Sequence, residues 1–387
     1  MIFGLSWTRR LTVLGLCAVT IGASVIAAGP ASAIDTTARE AILVDFDTGA
    51  VLFEKNADER MPPASMSKIM TVYLAFERLK EGRLRLEDEI PISEKAWRKG
   101  GSKMFVELNS RVKVADILRG IIVQSGNDAA IALAEALGGS EEAFADVMTA
   151  KARQLGMANT QYRNATGWPD PDHYMTARDL MTLAVATVRD FPDYYPIYAE
   201  TTYTYNEIKQ GNRNPLLYKG IGADGLKTGH TEEAGYGLTA SVKRADRRLV
   251  LVVNGLDSVR SRTSESQALI EWGFREFDNY TLLRAGQPVE KVAVWLGTAK
   301  TVPVALKDDL TLTMLRSARK KAKVSVVVNE PIAAPIQKGQ QVATLRITAP
   351  DTETIDLPLL AAESVERLGM FKRVMAAVGY LIWGPGG

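Results

Sequence analysis

The spacing of apolar residues changes twice along this chain, and the order of those changes restricts the folds it can adopt. Two apolar runs, Ala41–Phe46 and Ala50–Phe53, flank Asp47-Thr48-Gly49 and predict a β-hairpin. After the break at Pro62-Pro63, Met66, Ile69, Met70, Tyr73 and Leu74 recur at helical spacing in a run that Ser65 opens. The pattern stays mostly helical to about Glu200. Val114–Val123 and Asn127–Leu137 are its clearest segments, interrupted at Ser125-Gly126. Strand signals return in Ala223–Thr231, Gly235–Lys243 and Arg247–Asn254, the last two joined by the turn Arg244-Ala245-Asp246. Ser258–Phe277 then reads as a helix carrying Leu269, Ile270, Trp272 and Phe274. Strands at both ends with helices between predict one antiparallel sheet built from both ends of an α+β domain, with helices on both faces.

The character changes near Asn279. Short β-rich runs follow at Lys291–Leu296, Thr301–Leu306, Lys323–Val328 and Gln341–Ile347, which predicts a small all-β domain over residues 279–362. The five basic residues within Arg316–Lys323 read as a solvated loop rather than a binding patch. In Glu363–Trp383, Leu368, Phe371, Met375, Val378 and Ile382 step by three and four along one helical face. Arg367, Lys372 and Arg373 stand near its start, Tyr380 and Trp383 near its end. The apolar stretch Val374–Trp383 is too short to span a bilayer. Residues 363–387 therefore fit an amphipathic helix on a membrane surface, or one packed against the protein itself.

The first 33 residues read as a cleavable export signal: Arg9 and Arg10, an apolar run Leu11–Ala28, then Ala31-Ser32-Ala33. The competing reading is a transmembrane anchor. Cys17, the only cysteine, lies in this segment, and Leu16 before it is too large for the usual lipoprotein pattern. The remaining chain excludes a disulfide framework, a cysteine nucleophile and thiolate metal sites, and suits an oxidising extracytoplasmic compartment. Taking Arg9 and Arg10 from the 47 basic residues leaves 45 against 45 acidic ones, so no basic field points to nucleic acid. A length of 387 residues fits two domains with sizeable cores.

Three short motifs carry chemistry. In Ser65-Met66-Ser67-Lys68, positions i and i+3 share a helical face, so the Ser65 hydroxyl and Lys68 amine can meet. Serine is a poor nucleophile until a base takes its proton, and a lysine serves when burial or a second cation lowers its pKa. At a helix start, free N–H groups favour negative charge on the serine oxygen. Ser125-Gly126-Asn127 lies between two helices, where a short turn can push two polar side chains into a cleft. There Ser125 is suited to relay a proton to a leaving amine and Asn127 to bind a substrate amide. Lys227-Thr228-Gly229 lies on a strand, with Lys227 and Gly229 on one face and Thr228 on the other. Gly229 leaves room for a substrate backbone, and Lys227 supplies charge for a carboxylate and for tuning Lys68. Each motif alone has an ordinary structural reading; their order and contexts together are specific.

The set resembles that of the penicillin-recognising serine enzymes, and most of all the low-molecular-mass penicillin-binding proteins that act as D-Ala-D-Ala carboxypeptidases. The similarity extends to Gly101-Ser102-Lys103-Met104-Phe105, Gln124 to Ala130, Lys227 to Thr231, and Trp272-Gly273-Phe274, and covers nearly the whole chain after residue 33. It implies a β-lactamase/transpeptidase-like fold over residues 34–278, with no cofactor and no metal. It implies that Ser65 is acylated, that Lys68 is the base, and that the backbone N–H groups of Ser65 and His230 form an oxyanion hole. Lys227 and Thr228 would hold the terminal carboxylate of D-alanine. Arg213 and Arg262 match family arginines near that carboxylate, or are ordinary surface cations. The implied partners are peptidoglycan stem peptides, β-lactams and, through the terminal helix, the outer face of the cytoplasmic membrane, with the enzyme in the periplasm. Thr166-Gly167-Trp168 departs from the His-Gly-Leu of many relatives, and His173 reads as structural. The competing functions are a β-lactamase, a D,D-endopeptidase, or a non-catalytic peptidoglycan scaffold. Ser-Gly-Asn in place of Ser-Asp-Asn, the β domain, and an intact nucleophile and base argue against the first and last.

Overall fold

The computed structural model describes residues 34–328, 332–348, 354–372 and 374; the export signal expected over residues 1–33 lies outside them. Its centre is a five-stranded antiparallel sheet in the order Val51–Lys55, Glu40–Asp45, Arg247–Leu256, Gly235–Arg244, Ala223–Thr231. The N-terminal hairpin joins the last strand, with Ile42 opposite Val252 and Leu43 opposite Leu251. Alternate residues feed two cores. Ile42, Val44, Val250 and Val252 pack with Met70, Val72 and Leu183. Leu43, Leu249, Leu251 and Val253 pack with Leu269, Ile270 and Trp272. Burial on both faces explains why Leu249–Val253 is an unbroken apolar run.

The helix Lys68–Lys80 and the helix Ala177–Asp190 cover the first face, and the helix Val259–Glu276 covers the second. That last helix starts where the Ser258 hydroxyl accepts from Ser261 N–H. Its Gly273 permits close approach, since a Cβ there would stand 2.8 Å from Leu43 Cδ2 and 2.9 Å from Leu249 Cδ1. Ala223–Thr231 is the edge strand, which leaves one side of its ladder open beside the Ser65 turn.

The β-rich region holds the antiparallel pair Phe277–Leu283 with Leu310–Leu315 and a six-stranded sheet. Val292, Val302, Val304, Leu345, Ile347 and Leu359 form its core. Four strands there lie outside the quoted runs, Phe277–Leu283, Leu310–Leu315, Ile332–Ala333 and Ile355–Ala361, and two of them show why. Phe277–Leu283 continues straight from a helix with no turn residues to mark the change, and the sequence boundary at 278/279 falls inside it. Ile355–Ala361 contains Pro358, which argues against a strand. Its second neighbour pairs only at Leu360 and Ala361, so the missing N–H is tolerated. Buried Asp45 ties the regions together: its carboxylate pairs with Arg247 at 2.7 Å and accepts from Asn279 Nδ2 at 3.0 Å.

One expectation needs correction. The terminal helix does not start at Glu363. Val365 and Arg367 form bridges with Ile336 and Gly297, and among the described residues helical backbone first appears at 370. Val365 is buried in the β core, so the chain stays extended to complete that core. Met370 and Phe371 are 76% and 82% exposed. The later positions of the apolar stripe, Met375, Val378 and Ile382, lie outside the described residues.

Candidate active site

Ser65 does not sit on the α-helix. It occupies the 3-10 turn Ala64–Ser67, and the helix begins at Lys68. Ala64 before it is left-handed, φ 48°, at a cost of roughly 1–2 kcal/mol for an alanine. The edge strand presses on this turn at Gly229, where a Cβ would lie 2.8 Å from the Pro63 carbonyl and 3.3 Å from Ala64 Cβ. The glycine therefore admits the nucleophile turn itself, and the room expected there for a substrate is filled by protein.

Lys68 is fully buried. Its Nζ lies 2.8 Å from Ser65 Oγ, 2.8 Å from Asn127 Oδ1 and 2.7 Å from the Thr166 carbonyl. Burial, helped by the Arg213 cation, lowers its pKa to about 7. A neutral amine has two protons and one lone pair, and the three contacts match that inventory. As an ammonium Lys68 donates to all three; once neutral, its two protons stay on Asn127 and Thr166, which can only accept, and its lone pair is left for the Ser65 hydroxyl.

The Ser125 loop is held from behind. Ser125 itself takes the left-handed conformation, φ 61°, whereas Gly126 does not. Gly126 is required for space, since a Cβ would lie 2.9 Å from Asp128 Oδ1 and 3.0 Å from Met104 N. The buried Asp128 carboxylate accepts from the N–H groups of Met104, Phe105 and Val106, clamping the 101–106 loop against the 125–127 loop. Asn127 Nδ2 donates to the Gly100 carbonyl at 2.8 Å, which fixes the orientation of its amide.

The loop 164–168 resolves the unusual Thr166. Lys68 uses the backbone carbonyl of that residue, so threonine serves as well as histidine would. Asn164 Oδ1 accepts from the N–H groups of Thr166, Gly167 and Trp168, and Thr71 Oγ1 donates to the Ala165 carbonyl at 2.8 Å.

On the opposite wall, Lys227 and Thr228 are buried. Among the described residues Lys227 Nζ reaches only its neighbour's carbonyl, at 3.3 Å. Burial, with Lys68, Arg213 and Arg262 nearby, pushes its pKa well below the usual lysine range. Arg262 is buried, and its guanidinium lies 5.7 Å from the Tyr236 ring centre. Exposed Arg213 bonds Ser102 Oγ at 2.5 Å. Among the described residues none of these four cations pairs with a carboxylate. His230 stacks on Tyr236 at 3.9 Å. An open cleft of about 580 Å³ runs from Ser65 and Asn127 between Trp168-Pro169 and Thr231-Glu232-Glu233. Of the expected site residues, Ser65, Asn127 and His230 line this cleft; Lys68 joins it through Ser65 and Asn127, and Arg213 through Ser102, while Lys227 stands near Lys68, Arg213 and Arg262 behind the lining. Sequence reading missed Asp128 and the Thr166 carbonyl. Asp128 lies inside a quoted motif, and a buried acid beside a tight loop is its only sequence signal.

The sequence profile described as D-alanyl-D-alanine carboxypeptidase matches residues 26–258. The profile described as penicillin-binding protein 5, C-terminal domain, matches residues 277–367. The D-alanyl-D-alanine carboxypeptidase DacC of Escherichia coli K12 is 39% identical over 345 residues, covering 87% of this chain and 86% of that protein. The crystal structure of penicillin binding protein 5 from Haemophilus influenzae superposes with a TM-score of 0.78 at 36% identity, over 87% of this chain and all of that one. Penicillin-binding protein D2 from Listeria monocytogenes, in an ampicillin-bound form, gives 0.58 at 28% identity, over 63% of this chain and all of that one.

Proposed function

The chain belongs to the D-alanyl-D-alanine carboxypeptidase family, and from that premise we propose how its residues divide the reaction. It is a serine carboxypeptidase that removes the terminal D-alanine of peptidoglycan stem peptides through an acyl-serine, and β-lactams inhibit it. Neutral Lys68 takes the proton of Ser65 as its oxygen attacks the carbonyl between the two D-alanines. The N–H groups of Ser65 and His230 stabilise the oxyanion. Lys68, through Ser125, returns the proton to the departing amine, and Asn127 holds the substrate amide. Lys227, Thr228, Arg262 and Arg213 receive the terminal carboxylate, the one anion this cationic wall lacks. Water then releases the shortened peptide.

The observation that carries this reading is the fully buried Lys68 amine, 2.8 Å from Ser65 Oγ, with Asn127 Oδ1 and the Thr166 carbonyl as fixed acceptors for its other protons. Ser65→Ala should abolish release of D-alanine from a D-Ala-D-Ala peptide. Retained hydrolysis by that variant would overturn the mechanism.

The same reading extends to location. The protein is exported by residues 1–33, works in the periplasm, and rests on the membrane through its last residues, whose first apolar members Met370 and Phe371 stand exposed. Among the described residues no helix is long and apolar enough to cross a membrane. Deleting 370–387, which spares Val365 in the β core, should move the enzyme from the membrane fraction to the soluble one. Unchanged membrane association would remove the anchor.

A further inference from the structure

Under the nucleophile turn lies a buried histidine that the reaction above does not use. His173 is 4% exposed and packs edge-on against Tyr162, ring centres 5.5 Å apart. Its Nδ1 accepts from the Arg163 N–H at 3.3 Å, so the ring proton resides on Nε2. Nε2 lies 2.9 Å from Ser67 Oγ. That hydroxyl, receiving the histidine proton, spends its own proton on the Ala64 carbonyl 2.9 Å away. On its other side the same carbonyl meets Gly167, where a Cβ would lie 1.7 Å from it.

The Ala64 carbonyl and the Ser65 N–H belong to one peptide unit. A trans peptide is planar, with its C=O and N–H pointing in opposite directions. Whatever fixes the carbonyl also aims the N–H. We propose that His173 is a positioning residue which, through Ser67 and the Ala64 carbonyl, aims the Ser65 N–H into the oxyanion hole. This rests on the reading of Ser65 as the nucleophile. The left-handed Ala64 supplies the need, because a strained peptide drifts toward ordinary backbone unless its neighbours over-determine it. The neutral ring is also the stable one. Burial lowers its pKa to about 4; Asp170 opposes that, and the Lys68 and Arg163 cations assist it.

An N–H misaimed in the hole weakens the transition state more than the bound ground state. The test measures penicillin acylation in the full chain, separating the acylation rate constant from the dissociation constant of the preceding complex. Ser67→Ala and His173→Phe should each lower the rate constant by about tenfold or more, with the dissociation constant within about twofold of wild type. His173→Gln, which keeps a donor and an acceptor, should recover most of the rate. The double variant S67A/H173F should be no slower than the slower single one, as expected for two links of one chain. Wild-type rates in folded Ser67→Ala, or a loss confined to the dissociation constant, would overturn the proposal. Ser67→Ala decides the matter if His173→Phe does not fold. Peptide mapping of the wild-type adduct separates the two ideas: an adduct away from Ser65 removes the premise, whereas a Ser65 adduct with undiminished variants removes only the role of His173.

Discussion

The catalytic region and the β region bury different chemistry. Residues 34–278 bury Lys68, Lys227, Arg262, Asp128 and His173. Among the described residues beyond 278, Thr313 is the one buried polar side chain, and the core is aliphatic. The first region holds ionisable groups out of water, and burial lowers the pKa of Lys68, Lys227, Arg262 and His173. The second gains stability in the ordinary way, from apolar area. Lys68 shows what the first arrangement costs. Its folded pKa of about 7 lies below the unfolded value of 10.5. Between those values the unfolded chain binds more protons, so this group's contribution to stability rises with pH across that window and is least favourable below it.

The contrast can be broken by experiment. The largest effect belongs to the base. Lys68→Arg keeps the charge but cannot deprotonate, and should lower acylation by at least about a thousandfold while the protein stays folded. In the wild type, the acylation rate should rise with pH through about 7 and level off above it, because only the neutral amine accepts the Ser65 proton. Each unit below that value removes roughly a factor of ten. A flat profile between pH 5 and 8 would assign the base elsewhere.

Smaller effects follow on the carboxylate wall. Arg262→Gln should weaken kcat/KM for D-Ala-D-Ala peptides by roughly ten- to hundredfold, by loss of a charge-assisted contact. Amidating the terminal carboxylate of the peptide should erase most of the difference between variant and wild type. In the β region, Leu345→Ala should cost about 2–5 kcal/mol of stability yet leave kcat/KM of the folded enzyme within about twofold. A large catalytic loss there would show that the two regions are coupled. Least of all, Arg346→Ala, which breaks an exposed pair with Asp356, should leave the melting temperature unchanged within error.

How far the sequence could be read follows the same division. The strands of the central sheet and the helices Val114–Ile122 and Asn127–Gly138 are legible because both period and length are strong. The three motifs are legible because side chains carry their chemistry. What stays hidden is work done by backbone. The Thr166 carbonyl on Lys68 has no residue signature. The left-handed Ser125 stands beside a glycine that draws the attention. Gly229 is glycine for the sake of Pro63 and Ala64, 160 residues away and more in sequence. In the β region the hidden elements are hidden by junctions, as at Phe277, where a strand follows a helix without punctuation.

The central claim, an acyl-enzyme formed on Ser65, is tested most directly by intact mass of the folded full chain after incubation with penicillin, followed by peptide mapping. The account predicts one adduct, on the peptide carrying Ser65. Folded protein without an adduct, or an adduct on another residue, would contradict it.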